Sequence, residues 1–117
     1  MISIIVPTYA SGAELHELHA RIAATLEAAR EPFELIFVED GGHDVTRATL
    51  ERLATEDPRV RAIFLRRNAG QHAALLCGIR AARGDTIVTL DDDLQHPPEA
   101  IPTLVHAVRE GTSVVYG

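Results

Sequence analysis

Three consecutive carboxylates, Asp91-Asp92-Asp93, close an apolar strand-like run. Asp91 and Asp93 flank one residue, and in extended chain such residues project to the same side about 6.6 Å apart. A turn brings them closer, so both can serve one hard cation, directly or through water. Gln95 continues the two-residue spacing with a neutral oxygen. Mg2+ and Mn2+ favour oxygen ligands and keep positions open for phosphates. The competing reading is a solvated acidic loop that caps a helix starting near Pro97. Three adjacent like charges with no basic neighbour repel one another, which favours the cation.

Two further turns carry groups of the same kind. In Glu39-Asp40-Gly41-Gly42 a carboxylate can accept hydrogen bonds from a base N–H or a ribose hydroxyl, as acidic residues at strand ends do in dinucleotide-binding folds. Helix capping is the alternative there, and Asp44 is already placed for that role. Arg66-Arg67-Asn68-Ala69-Gly70-Gln71 sets two arginines before a helix N-terminus, an arrangement suited to an anion or to an ordinary solvated surface. His16 and His19 share a helical face without a third ligand, so a solvated stripe is expected and not zinc. Cys77, inside an apolar helix, is expected to pack in the core.

The elements that position these groups alternate along the chain. Strands are expected at Ile2–Val6, Phe33–Val38, Val60–Leu65, Thr86–Leu90 and Ser113–Tyr116. Ser11 and Glu14 have capping-box spacing, and Leu15, Leu18, Ile22 and Leu26 form one apolar stripe of a first helix stopped by Pro32. Asp44 is expected to cap a second helix with Leu50, Leu53 and Ala54 inward and Pro58 just past its end. Residues 70–83 give a third helix closed by Gly84. Pro97 and Pro98 suit the first turn of a fourth, with Ile101, Leu104, Val105 and Val108 on its apolar face and Gly111 ending it. Alternating βα units predict an α/β fold, a mostly parallel sheet with helices on both faces and a Rossmann-like arrangement. Right-handed crossovers then bring Pro7-Thr8-Tyr9, Glu39-Asp40 and Asp91-Asp92-Asp93 to one sheet edge.

With 117 residues, 46% apolar, the chain suits one domain spanning 1–117 with a single core. Its net charge of -6 argues against nucleic acid and means a polyphosphate ligand needs an intervening cation. The apolar runs are strand-length, the N-terminus lacks signal-peptide character, and one cysteine fits a reducing, cytoplasmic setting. A receiver domain is excluded because Pro7-Thr8-Tyr9 follows the first strand and Arg66-Arg67-Asn68 the third, where it needs aspartates. A dinucleotide dehydrogenase is excluded because no G-x-G-x-x-G follows the first strand.

The chain resembles the family 2 glycosyltransferases, in the branch of dolichyl-phosphate mannosyltransferase and bacterial polyprenyl-phosphate glycosyltransferases. The resemblance is carried in order by Ile5-Val6-Pro7-Thr8-Tyr9, Val38-Glu39-Asp40-Gly41, Arg67-Asn68-Ala69-Gly70-Gln71, Gly84-Asp85, Leu90-Asp91-Asp92-Asp93-Leu94-Gln95-His96-Pro97-Pro98-Glu99 and Val114-Val115-Tyr116-Gly117. It implies a GT-A fold whose N-terminal half binds a nucleotide-sugar donor, a GDP- or UDP-sugar. Pro7, Thr8 and Tyr9 would line the nucleotide pocket, with Asp40 facing base or ribose. Glu39, Arg67 and Asp92 join the donor-binding set, and Asp91, Asp93 and Gln95 would hold Mg2+ or Mn2+ on the diphosphate. The implied reaction transfers the sugar with inversion to a lipid-phosphate acceptor at the cytoplasmic face of a membrane. The alternative is a non-catalytic module that binds a nucleotide-sugar or a partner.

Three departures stand out. Ala10 and Ser11 replace the family's Asn-Glu after the tyrosine, and Glu39 and Gly42 replace the outer residues of its Asp-Asp-Gly-Ser turn. Family catalytic domains also continue past the Tyr-Gly with an arginine and acceptor-site residues. An exposed edge at Ser113–Tyr116 would favour a homo-oligomer.

Overall fold

The computed structural model describes residues 1–8, 12–40, 44–65, 71–91 and 97–110. Its elements run β1 (Ile2–Thr8), α1 (Gly12–Ala28), β2 (Phe33–Asp40), α2 (Asp44–Glu56), β3 (Val60–Leu65), α3 (Gln71–Ala81), β4 (Thr86–Thr89), a 3-10 turn (Pro98–Ala100) and α4 (Ile101–Arg109). Among the described residues the strands form one sheet in the order β3-β2-β1-β4. Every pairing is parallel. The expected α/β class is therefore observed, and the expected strand at Ser113–Tyr116 lies outside the described residues.

Side-chain alternation sorts the strand residues onto two faces. Ile2, Ile4 and Val6 of β1 and Phe33, Leu35 and Phe37 of β2 pack with Leu15, Leu18, Ile22 and Leu26 of α1, Leu50 and Leu53 of α2, and Ile101 and Val105 of α4. Ile5, Ile36 and Val38 face the other way, onto Ala74 of α3. Both faces of β2 are covered, so all eight of its residues are buried. α3 lies so close to the sheet that a Cβ on Gly78 would collide with Ile5 Cγ2. Glycine here is a contact requirement, and it weakens the helix by about 1 kcal/mol relative to alanine. Among the described residues no helix is long and apolar enough to cross a membrane.

Several boundaries differ from expectation. β1 runs on through Pro7 to Thr8. The Ile5 carbonyl turns toward β4, accepting from Leu90 N at 3.0 Å. Pro7, two residues on, turns the same way, but the β1–β4 ladder has ended at Ile5–Thr89, so its missing N–H leaves no gap. α1 ends at Ala28, well before Pro32. Arg30 takes a left-handed φ of 56°. Arg30 N then donates to Glu27 O and Glu31 N to Leu26 O, the paired bonds of a Schellman cap.

α2 begins at Asp44 itself, so this aspartate is the first helical residue and not the residue before it. Pro98 opens a 3-10 turn and α4 starts only at Ile101, with Pro102 in its first turn. α3 ends at Ala81, three residues before Gly84. The glycine at 84 is needed for another reason: a Cβ there would press on Met1 O and sit 2.7 Å from Ser3 Oγ. α3, expected as an apolar helix with Cys77 in the core, leaves Leu76 and Ile79 exposed and Cys77 half-buried. Gly111 lies outside the described residues.

Candidate functional site

The strand order reverses direction between β1 and β4, because β2 and β3 lie to one side of β1 and β4 to the other. Open parallel sheets bind ligands at such a switch point, outside the strand C-termini. β1 delivers Pro7 and Thr8 there, and β4 leads through the buried Leu90 to the half-buried Asp91. Leu90 N bonded to Ile5 O fixes where the chain leaves the sheet toward Asp91. The Thr8 hydroxyl donates to Val6 O at 3.1 Å, which leaves its lone pairs to accept. Thr8 pairs in register with Glu39, both fully buried. Alternation puts Thr8 and Glu39 on the α1 face and Asp40, 2% exposed, on the α3 face. The two carboxylates of the second turn thus point to opposite sides of the sheet, a separation that their adjacency in sequence does not announce.

Of the expected donor-binding residues, Pro7, Thr8, Glu39, Asp40 and Asp91 are brought to this edge. Tyr9, Arg67, Asp92, Asp93 and Gln95 lie outside the described residues. Among the described residues no group of three or more His, Cys, Asp or Glu side chains is arranged to hold a metal. Asp91 supplies a hard oxygen at that edge, the donor type that Mg2+ or Mn2+ takes.

The opposite edge of the sheet carries two polar clusters that sequence reasoning missed. Glu34, buried within β2, accepts from Ser3 Oγ and Arg83 N at 2.6 Å each on Oε2, and from Arg61 Nη1 at 2.8 Å on Oε1. Ser3 Oγ in turn accepts from Gly84 N at 2.8 Å, and Arg61 Nη1 also donates to Ala81 O. Burial pushes the Glu34 carboxyl up, but these hydrogen bonds outweigh it and hold the group below the usual glutamate range. A charged residue inside an apolar strand-like run was the available signal.

In the second cluster Arg59 donates to both oxygens of Asp57 through its Nε and Nη2, and reaches Glu27 Oε1 at 2.9 Å. Its guanidinium also lies over the Phe33 ring, 4.4 Å from the centroid. His19 Nε2 sits 2.8 Å from Asp57 Oδ2. The Arg59 hydrogen bonds hold the Asp57 carboxyl far below the usual range against the push of burial, and His19 adds to them. His19 is therefore a half-buried tie between α1 and the α2–β3 connection, and not part of the expected solvated stripe; His16 is exposed. Both clusters join elements at the edge away from the switch point and leave the crevice side to Thr8, Glu39, Asp40 and Asp91.

A parallel sheet in this order, with its strand C-termini gathered at a switch point, defines an α/β protein of the doubly wound type. The chain belongs to glycosyl transferase family 2, which it matches over residues 3–117. The undecaprenyl-phosphate 4-deoxy-4-formamido-L-arabinose transferase of Pseudomonas aeruginosa is 45% identical over 117 residues, covering 98% of this chain and 34% of that protein. Its namesake from Aeromonas hydrophila is 40% identical over 116 residues, covering 98% and 36%. The chain thus spans about a third of the length of these curated relatives. Among solved structures, the mannosyltransferase PcManGT from Pyrobaculum calidifontis, in complex with GDP-Man and Mn2+, superposes with a TM-score of 0.74 at 26% identity, over 92% of this chain and 31% of that one. A mycobacterial protein gives a TM-score of 0.74 at 25% identity, over 97% and 38%. The architecture is that of the GT-A glycosyltransferases.

Proposed function

We propose that residues 1–117 form one donor-binding unit of a metal-dependent inverting glycosyltransferase that takes a GDP- or UDP-sugar and serves a polyprenyl-phosphate acceptor. The observation that carries this reading is the switch point: Thr8 ends β1 and Asp91 follows the neighbouring strand β4 in a family 2 chain. The likeness to a structure holding GDP-Man and Mn2+ supports the donor and metal, and the names of the curated relatives support the lipid-phosphate acceptor.

On this reading Pro7, Thr8 and Tyr9 line the nucleotide pocket, and Asp40 accepts from base or ribose. Arg67 and Glu39 border the donor, and Asp91, Asp93 and Gln95 hold Mg2+ or Mn2+, with Asp92 between them. The metal supplies charge neutralisation to the departing nucleoside diphosphate. The chain's own residues bind and orient the donor. A lipid phosphate is anionic near neutral pH, so no carboxylate base is needed to activate it. On this reading the working protein acts at the cytoplasmic face of a membrane, and as a homo-oligomer if the strand expected at 113–116 pairs between copies.

Because the chain spans about a third of its curated relatives, a module that binds donor without transferring sugar is the second reading. Titration calorimetry with GDP- and UDP-sugars, with and without Mn2+, tests the first claim. Turnover with a short polyprenyl phosphate then separates the two: binding with transfer supports the enzyme, and binding without transfer supports the module. Light scattering that shows a monomer removes the oligomer.

A further inference from the structure

α3 is packed the opposite way round from α1. It lays small residues on the sheet, with Ala74 fully buried and Gly78 against Ile5 and Val38, and Leu75 half-buried at the margin of that contact. Its outward large residues, Leu76 and Ile79, stand 48% and 42% exposed, one helical turn apart. α1 shows the usual order, with Leu15, Leu18, Ile22 and Leu26 all fully buried. Ile87 of β4, in register with Ser3 on the α3 face of the sheet, is 43% exposed as well. Apolar residues exposed singly need no explanation. A helix that turns its large apolar side chains outward, beside an open strand, does.

Charge on this side is as uneven as burial. The chain carries a net charge of -6, and α1 and α2, on the other face of the sheet, hold Glu14, Glu17, Glu27, Asp44, Glu51 and Glu56. α3 holds no carboxylate. It carries His72 and, in its last turn, Arg80, and Arg83 follows just past its end; all three are exposed. Arg21, Arg52, Arg59, Arg61 and Arg109 each meet a carboxylate. Among the described residues the guanidinium groups of Arg80 and Arg83 meet none. The nearby acidic groups are occupied elsewhere, Glu34 by Arg61 and Asp85 by the Met1 ammonium. Apolar side chains bordered by uncompensated arginines suit a surface that is apolar beneath and anionic at its rim. A second copy fits poorly, because a symmetric contact would set the same arginines against each other with no carboxylate between them.

We propose that the outer surface of α3 and the open face of β4 dock on an anionic lipid surface, with Leu76, Ile79 and Ile87 entering the interface and Arg80 and Arg83 meeting headgroup phosphates. The inference rests on the membrane setting proposed above for its purpose, and lipid alone tests it. The carboxylates of α1 and α2 then lie on the side away from the bilayer. Because α3 begins at the strand C-terminal edge and ends where β4 begins, the docked surface runs up to the crevice.

The chain contains no tryptophan, so single reporters can be placed. Leu76→Trp on α3 and Val45→Trp on α2, where Val45 is 72% exposed, are titrated with vesicles of phosphatidylglycerol and phosphatidylcholine in equal parts, and of phosphatidylcholine alone. Sedimentation with the same vesicles compares the unaltered chain with Arg80→Gln/Arg83→Gln, Leu76→Ser/Ile79→Ser and the control Arg52→Gln. All the substituted side chains are exposed, so melting temperatures should stay close to the parent's. Fluorescence of the reporter at position 76 should shift to the blue on anionic vesicles, and that of the reporter at 45 should not. The arginine pair should weaken binding to anionic vesicles by about ten- to thirtyfold, and the serine pair by about tenfold. Arg52→Gln should leave it unchanged. No binding to anionic vesicles, equal binding to both kinds, or an arginine variant that binds like the parent overturns the proposal. So does a chain that leaves vesicles untouched and forms a dimer, by light scattering, that Leu76→Ser/Ile79→Ser dissociates, which assigns the surface to a second copy. Vesicle binding by a chain that takes no nucleotide-sugar removes the donor reading and leaves the docking surface standing.

Discussion

Replacing Glu34 with glutamine tests how the sheet is locked at the edge away from the crevice. The carboxylate is buried in β2 and takes three donors: Ser3 Oγ, Arg83 N and Arg61 Nη1. A glutamine of the same shape can place its carbonyl oxygen where Oε2 now accepts from Ser3 and Arg83. Its amide nitrogen then faces Arg61 Nη1, donor against donor. One charge-assisted bond is lost, and Arg61 keeps Ala81 O at 2.9 Å as its other acceptor. The expected cost is about 1.5–3 kcal/mol, which for a domain of this size lowers the melting temperature by about 5–15 °C. Glu34→Ala leaves Ser3 Oγ and Arg83 N without this acceptor and Arg61 with Ala81 O alone, and should cost more than the glutamine change.

The pH dependence follows from the sign of the shift. Hydrogen bonding holds the folded-state pKa of Glu34 below its ordinary value despite burial. Its contribution is therefore complete above the unfolded value of about 4.3 and is lost as pH falls through the folded value. Urea melts of the unaltered chain and Glu34→Gln should differ fully at pH 7 and begin to converge only as pH falls below about 4.3. A variant within about 0.5 kcal/mol of the parent at pH 7 would refute the reasoning. So would a gap that stays constant with pH.

Three further expectations concern separate parts of the fold. Gly78→Ala should destabilise, because overpacking against Ile5 Cγ2 costs about 1–3 kcal/mol and alanine's better helix propensity offsets only part of it; urea denaturation showing a more stable variant would contradict the contact. Arg30→Gly should stabilise by about 0.5–1 kcal/mol by relieving the left-handed φ of 56°, measured by thermal melting. Asp57→Asn should cost more at pH 7 than at pH 3, because a carboxylate with a depressed pKa stabilises above about 3.9 and loses that contribution as pH falls. Equal costs in urea melts at the two pH values would show that Arg59 and His19 do not hold the charge.

Much of the fold was legible because burial writes itself into periodicity. Leu15, Leu18, Ile22 and Leu26 are all fully buried along one face of α1, and β3 spans Val60–Leu65 as its apolar run indicates. What sequence spacing could not supply were contacts between distant elements. Nothing near Glu34 in the sequence points to Arg61 and Arg83, and Arg21 meets Glu99 only because the α1 and α4 regions share a sheet face. β1 runs past the expected Val6 because the cost of Pro7 depends on whether a neighbouring strand is still present at that level, a property of register and not of sequence. At the crevice, Thr8, Asp40 and Asp91 could be assigned to one edge from the βα alternation alone. The split of Glu39 and Asp40 across the sheet also follows from alternation, but only once the strand is known to extend through both.

The proposed site at the switch point between β1 and β4 is a metal-dependent nucleotide-sugar site. Calorimetric titration of the chain with GDP- and UDP-sugars, in Mn2+ and in excess chelator, tests it most directly, with Asp91→Ala and Asp93→Ala alongside. Binding of at least one nucleotide-sugar is expected in Mn2+, and chelator or either substitution should abolish it. Binding that is indifferent to chelator and to both substitutions, or no binding of any nucleotide-sugar, would contradict it.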